Sequence, residues 1–264
     1  MTKSQINKLG ERLRASTSPD LASLAKLQEF RTVYDAPLRK VESVLREKVG
    51  TDATWRLKTV NTIIEKLRRE KTRLAEMQDI AGIRVVRESL LEEQTALAAT
   101  IVELFPGAKL IDRRAKPQHG YRAVHIIPIV DGRPVEIQIR TSLQDLWAQA
   151  MEKLADEVGR EIRYGAAPRE RKEDFHALMQ SSVELAGLEA NLQEAFDLRR
   201  DHDSLVQGTH PALADVHLDL ERNPDSARVF SEVLEDHGRR ILAAERHLRE
   251  KAQGLRDNLG KMIR

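Results

Sequence analysis

Between residues 21 and 49, apolar side chains recur three to four apart: Leu21, Leu24 and Leu27, then Leu38, Val41, Val44 and Leu45, with Pro37 between the runs. That spacing predicts two amphipathic helices. Thr51-Asp52-Ala53 interrupts the pattern, and a basic helical segment is expected over residues 62–73. Residues 80–86 are short, apolar and β-branched, which predicts a buried strand, followed by a helix over 89–104 that Pro106-Gly107 ends. Lys109-Leu110-Ile111-Asp112 reads as a weaker strand and 122–130 as a stronger one. Asp131-Gly132 is then a hairpin signal leading to a strand over 135–141, so these last two strands should be antiparallel neighbours.

Within 135–141, a period of two puts Glu136, Gln138 and Arg140 on one face and Val135, Ile137 and Ile139 on the other. A polar row on an otherwise apolar strand implies a ligand. Leu143, Leu146, Trp147, Ala150, Met151 and Leu154 then mark one face of a helix expected to pack on the sheet, with Trp147 as core rather than as a stacking surface. Gly159, Gly165 and Pro168 bound a loop, and the remainder reads as helix. Phe175, Leu178, Leu185, Leu188, Leu192 and Phe196 form one stripe, and Asn223-Pro224 reads as a helix cap with proline in the first position. Ile241, Leu248, Leu255 and Met262 repeat every seven residues, with Ala252 and Leu259 between them and Glu245 interrupting the seam. Two readings stand side by side: a helix packed on its own domain, or a contact in a homo-oligomer.

Composition narrows the classes. The chain has 264 residues, enough for one large domain or a domain with an appended module. Charged residues make up 33% and aromatics 4%, a balance that favours long solvated helices with aliphatic cores over a β-sandwich or a stacking platform for single strands. With 44 basic and 42 acidic side chains, the formal charge of +2 gives no global attraction to nucleic acid or membrane. The absence of cysteine excludes disulfides, thiolate metal sites and cysteine nucleophiles. No stretch approaches the roughly 20 apolar residues that span a bilayer, and the N-terminus leads into no apolar run. A soluble, cytoplasmic protein is expected, with no membrane partner.

The candidate chemistry lies in three places. Arg56, Lys58, Lys66, Arg68, Arg69, Lys71 and Arg73 load one short stretch with cations, which taken alone would be a solvated helix face. They run directly into Asp79 and Arg84, however, as a groove for polyphosphate and metal would require. Asp79 and Glu136 are candidate Mg²⁺ ligands, because that ion takes carboxylate oxygens together with water and substrate phosphate; a cap for Asp79 and an edge position for Glu136 are the structural alternatives. Tyr121 would stack on a purine, with Arg122 and His125 near phosphate or hydroxyl groups, and Gly120 would allow close backbone approach. The dipeptide His202-Asp203 suits a metal phosphohydrolase, but no further ligands accompany it at matching places.

Four segments in order resemble the RelA/SpoT family of alarmone synthetases: Arg56-Leu57-Lys58 with Thr62-Ile63-Ile64-Glu65-Lys66-Leu67; Asp79-Ile80-Ala81-Gly82-Ile83-Arg84; Gly120-Tyr121-Arg122 with His125; and Glu136-Ile137-Gln138-Ile139-Arg140-Thr141. The resemblance covers residues 50–165. It implies an α+β fold, a mixed sheet flanked by helices and similar to nucleotidyltransferases, with the chain divided into N-terminal helices (1–50), a synthetase core (51–165) and a helical C-terminal extension (166–264). It implies transfer of pyrophosphate from ATP to the 3′-hydroxyl of GDP or GTP, with Mg²⁺. On this resemblance Arg56 and Arg84 sandwich adenine, and Lys58, Lys66 and Arg68 hold the ATP phosphates. Asp79 binds Mg²⁺, and Glu136 orients or deprotonates the acceptor hydroxyl and shares the metal. Tyr121 stacks on the acceptor base, with Arg122, His125, Gln138 and Arg140 around it.

The chemistry agrees with the residues themselves, since phosphoryl-type transfer demands positioning and charge neutralisation more than a covalent nucleophile. Two departures bear on the acceptor. The family's Lys-Pro-Asn-Gly run is here Lys116-Pro117-Gln118-His119-Gly120, and the serine that commonly follows the arginine is Ala123. About 50 residues precede the core, too few for the hydrolase domain of the long bifunctional members, so product hydrolysis is not expected. Two alternatives remain open: a toxin-type synthetase whose acceptor is an adenosine nucleotide or the 3′ end of tRNA, and a non-catalytic member that binds nucleotide or a partner.

Overall fold

The alternation along residues 135–141 builds the middle of a mixed sheet. The protein is described by a computed structural model covering residues 1–51, 53–70, 72–213 and 224–264. In chain order its elements are α1 (Lys3–Ala15), α2 (Leu21–Thr32), α3 (Asp35–Val44), β1 (Thr54–Leu57), α4 (Val60–Glu70), β2 (Ala81–Arg87), α5 (Leu91–Leu104), β3 (Lys109–Asp112), β4 (Val124–Ile127), β5 (Ile129–Val130), β6 (Arg133–Thr141), α6 (Ser142–Val158), α7 (Lys172–Val206) and α8 (Pro224–Ile263). The strand order is β1-β2-β6-β4-β3, with β5 paired to β6 alone. Among the described residues only β2 and β6 run parallel; the other pairs are antiparallel. This is the expected α+β class, a mixed sheet flanked by helices.

Contacts divide the chain into two units, which differ from the three segments drawn from the sequence. The first holds residues 1–88, 93–118 and 122–142; the second holds 89–92, 119–121 and 143–264. In the first unit, Leu13, Leu27 and Leu38 from the N-terminal helices, Leu67 from α4 and Ile101 from α5 share one core with Ile83, Val85, Ile137 and Ile139 of the sheet. The N-terminal helices therefore belong to the sheet's own unit. Helix α1, outside the expected pattern, forms because Thr2 and Gln5 make a reciprocal capping box and Ile6, Leu9 and Leu13 fall on one face.

Pro37 does not separate two helices but sits in the first turn of α3, where a missing N–H removes no helical bond. The strand expected over 122–130 is split into β4 and β5 around Pro128. Asp131 and Gly132 both have positive φ, 49° and 71°, as the tight turn joining β5 to β6 requires.

The second unit is helical. Here the α6 stripe expected against the sheet is found elsewhere: Leu143, Trp147, Met151 and Leu154 form a separate core with residues of α7 and α8, among them Leu178, Leu185 and Leu255. Two long helices with aliphatic stripes offer this face a continuous apolar partner. Trp147 is buried as expected, and its Nε1 donates to the Leu178 carbonyl at 2.7 Å. The seven-residue repeat of α8 packs within its own unit, with Ile241, Ala252, Leu255 and Leu259 buried. Glu245 in that seam is buried too, and accepts from Arg199 and Arg249. Lys71, Asp52 and the Asn223 of the expected cap lie outside the described residues. No helix among the described residues is long and apolar enough to cross a membrane.

Candidate active site

Three residues from three elements of the first unit meet at the start of β2. Lys58 follows β1, and its backbone N–H donates to the Ile80 carbonyl at 2.8 Å, extending the β1–β2 pairing past the strand. Arg31 of α2 supports the same point by donating through Nε to the Lys58 carbonyl at 2.7 Å. Thr59 caps α4 by accepting from the Thr62 N–H at 3.2 Å, which sets the helix that carries Lys66. The outcome is a clamp: Lys58 Nζ and Lys66 Nζ donate to one oxygen of Asp79, Oδ2, at 2.5 and 2.7 Å.

The other oxygen, Asp79 Oδ1, is buried with no hydrogen-bond partner among the described residues. Burial pushes the Asp79 carboxyl up, but the Lys58 and Lys66 ammoniums outweigh it and hold it at about 2. Burial likewise works against the Lys66 ammonium, yet the Asp79 carboxylate raises it above the usual lysine range, and Glu70 and Glu136 add to the effect. A buried, ionised carboxylate with one bare oxygen fits a hard divalent cation.

The sheet register explains the rest. Directly paired residues share a face, so Arg56, Gly82 and Glu136 form one row across β1, β2 and β6, while Thr54, Arg84, Gln138 and His125 form the next. Trp55 points to the opposite face, where the Arg39 guanidinium of α3 lies 3.6 Å from its ring centroid. The predicted polar row of β6 is thus one column of a wider polar face. It includes Arg56 and Arg84 as well as His125.

On that face Glu136 is held at both oxygens. His125 Nδ1 lies 3.0 Å from Oε1, and Gln138 Nε2 donates to Oε2 at 2.7 Å. Burial raises the Glu136 carboxyl and the Asp79 charge adds to that, but the hydrogen bonds from His125 and Gln138 prevail and leave it below the usual glutamate range. The mutual influence of Asp79, Lys66 and Glu136 brings the two candidate carboxylates into one electrostatic cluster. Arg140 donates to Gln138 Oε1 at 2.9 Å.

Other candidates fall outside the cluster. Arg68 is two residues from Lys66 on α4 and so leaves the helix on a different side; its guanidinium bonds the Ser16 carbonyl. Arg69 and Arg73 pair with Glu70 and Glu76. Arg122 donates through its guanidinium to the Arg114 carbonyl at 2.6 Å, which ties down the loop between β3 and β4. Tyr121 belongs to the second unit and packs against its core.

Gly120 has a structural reason unlike the one expected. Its φ is 85°, a Cβ there would come within 2.6 Å of Trp147 Cζ2, and Ser182 Oγ donates to its carbonyl at 2.6 Å. The close approach is to a tryptophan of its own unit. His119 likewise has positive φ, and its ring lies where a Cβ on Gly165 would fall, 2.5 Å from Cε1. His202 Nε2 donates to the Leu234 carbonyl at 2.8 Å. Among the described residues no group of three or more His, Cys, Asp or Glu is placed to hold a metal, so an ion at Asp79 would have at most Glu136 as a second carboxylate and would draw the rest of its ligands from water and phosphate.

Sequence reasoning had Lys58, Lys66 and Asp79 separately but missed the clamp and the Arg31 support. The spacing of these residues carries no signal for either.

Residues 55–155 match the model of a region found in RelA/SpoT proteins. An uncharacterized protein of Mycobacterium tuberculosis is 35% identical over 208 residues, which cover 73% of this chain and 76% of that protein. The chain belongs to the RelA/SpoT family. A guanosine-3′,5′-bis(diphosphate) 3′-pyrophosphohydrolase of Aquifex aeolicus is 37% identical over 126 residues, 45% of this chain and 17% of that protein. Among solved structures, small alarmone synthetase 1 from Bacillus subtilis is similar at 21% identity, covering 66% of this chain and 98% of that one with a TM-score of 0.49. The RelA/SpoT match runs from β1 into α6 and takes in Lys58, Lys66, Asp79, His125 and Glu136.

Proposed function

We propose that this RelA/SpoT-family chain is a cytoplasmic pyrophosphokinase that moves the β,γ-pyrophosphate of ATP to the 3′-hydroxyl of GDP or GTP, releasing AMP. The observation that carries the reading is the Asp79 clamp: two ammoniums and a bare, buried carboxylate oxygen in one cluster with Glu136. Cations for phosphate and oxygens for a divalent ion are what a nucleoside triphosphate bound with metal needs.

Asp79 would hold Mg²⁺ through Oδ1, with Glu136 contributing from β6. Bound there, Mg²⁺ supplies charge neutralisation on the polyphosphate. Lys58 and Lys66 act as mobile point charges that turn from Asp79 towards the phosphates. Arg56 and Arg84, on one sheet face and offset by one pair, offer planar guanidiniums to the adenine.

Glu136 accepts the proton of the acceptor hydroxyl as its oxygen bonds to the β-phosphorus. The bond from that phosphorus to the oxygen bridging to the α-phosphorus breaks, and AMP leaves with that oxygen. His125 and Gln138 keep Glu136 ionised and oriented for this step.

The test offers the protein labelled ATP and Mg²⁺ with GDP, GTP, adenosine nucleotides and tRNA side by side. AMP and a 3′-pyrophosphorylated guanosine nucleotide are expected. Transfer to an adenosine nucleotide or to tRNA alone would reassign the acceptor, and nucleotide binding without any transfer would make the chain a non-catalytic binder.

A further inference from the structure

Glu136, Gln138 and Arg140 leave one face of β6 at alternate positions and are joined in a directed chain: Arg140 donates to Gln138 Oε1, and Gln138 Nε2 donates to Glu136 Oε2. A guanidinium has only donors, an ionised carboxylate only acceptors, and a primary amide one end of each kind. The chain therefore runs in one direction. Turning the Gln138 amide over would set its oxygen against the carboxylate and its NH₂ against the guanidinium, losing both bonds. Arg140 is 3% exposed, as suits an internal strut.

We propose that Arg140 is a positioning residue that acts through Gln138 to aim Glu136, rather than a group that contacts the acceptor nucleotide. This rests on the reading of Glu136 as the residue that addresses the acceptor hydroxyl. With Arg140 present, the Gln138 amide has one orientation and the Glu136 Oε2 lone pairs one direction. Without it, the amide is held only through its bond to Glu136 and swings with that carboxylate, so Glu136 loses its fixed aim, which lowers turnover and leaves substrate binding as it was.

The experiment is a double-mutant cycle of Arg140→Met and Gln138→Met, with kcat and the acceptor KM measured at saturating ATP and Mg²⁺, and with Glu136→Gln alongside. Arg140→Met is expected to lower kcat about ten- to a hundredfold while the acceptor KM moves less than about twofold. In the Gln138→Met background the same change should cost less than about twofold more, because its route is already cut. Arg140→Lys, which keeps a donor, should recover most of the rate.

A raised acceptor KM with kcat kept, or losses that multiply, would overturn the proposal. Should Arg140→Met not fold, Gln138→Glu decides, since it keeps a partner for Arg140 but sets a second carboxylate beside Glu136: lost kcat supports the coupling and full kcat overturns it. An active Glu136→Gln protein would instead sink the reading of Glu136 itself. An inactive one with multiplying losses would sink only the role of Arg140.

Discussion

Arg56 pairs with Gly82 across the β1–β2 ladder, so the place between Arg56 and Glu136 on the polar face carries no side chain. A Cβ at Gly82 would meet nothing nearer than the Glu136 carbonyl oxygen at 4.0 Å. Packing therefore does not require glycine there, whereas a nucleotide lying between Arg56 and Glu136 would. Gly82→Val should leave Tm unchanged or raise it, since a β-branched residue in a strand gains about 0.5–1 kcal/mol over glycine. ATP affinity should fall by tenfold or more, about 1.4 kcal/mol. Thermal unfolding and titration calorimetry on the same preparation separate the two effects, and undiminished ATP affinity would place the nucleotide elsewhere.

Asp79 shows a comparable separation within one side chain, with Oδ2 taken by Lys58 and Lys66 and Oδ1 bare. Replacing the carboxylate by an amide removes the charge that a cation needs and releases both lysines. Asp79→Asn should abolish the gain in ATP affinity that Mg²⁺ gives the native protein. Affinity for metal-free ATP should hold or improve, because the two ammoniums become available to phosphate. Transfer should fall about a hundredfold or more. Calorimetry with and without Mg²⁺ checks this, and an unchanged magnesium effect would remove Asp79 from the metal site.

These relationships were unevenly readable in the sequence. The row of Glu136, Gln138 and Arg140 was visible because a central strand alternates between an apolar and a polar face, and the Asp131-Gly132 turn was visible because both residues take positive φ. β1 was not, being four residues long with Thr54, Trp55 and Arg56 all exposed, so no alternation marks it. The α6 stripe was correctly read as buried and wrongly assigned a partner, since a stripe specifies that it is covered but not by what. Pairings such as Lys58 with Asp79 join residues 21 apart, and nothing in either local pattern encodes them. Arg68 and Lys66 looked equivalent in a cationic run, and only the helical turn between them assigns one to Asp79 and the other to Ser16.

Gly120 was read as a place for a ligand to approach and is occupied by Trp147 instead. Gly120→Ala should therefore act on stability, through both the positive φ and the collision with Cζ2. The expected loss is about 2–3 kcal/mol, measured by urea denaturation. In a Trp147→Phe background, which removes the colliding ring, the same change should cost clearly less, leaving only the backbone term of about 1 kcal/mol. Equal costs in both backgrounds would mean that the ring contact contributes nothing.

Glu245 sits in the α8 seam where the heptad pattern calls for an apolar residue, and it survives there because Arg199 and Arg249 both donate to its carboxylate, the latter at 2.6 Å. Burial raises the Glu245 carboxyl, and the hydrogen bonds and charges of Arg249 and Arg199 bring it below the usual glutamate range. A folded-state pKa that is depressed contributes stability present in full above the unfolded value, about 4.3, and lost as pH falls through the folded one. Glu245→Gln keeps the shape and one acceptor oxygen but removes the charge. At about pH 7 it should cost on the order of 1 kcal/mol, discounted because both guanidiniums reach solvent. The native protein gives up the same contribution when its own carboxylate is protonated, so the gap should close as pH falls below about 4.3 and through the depressed folded-state value. Urea denaturation of the two proteins across that range measures the difference directly, and a gap that stays constant would assign the role of Glu245 to packing rather than to charge.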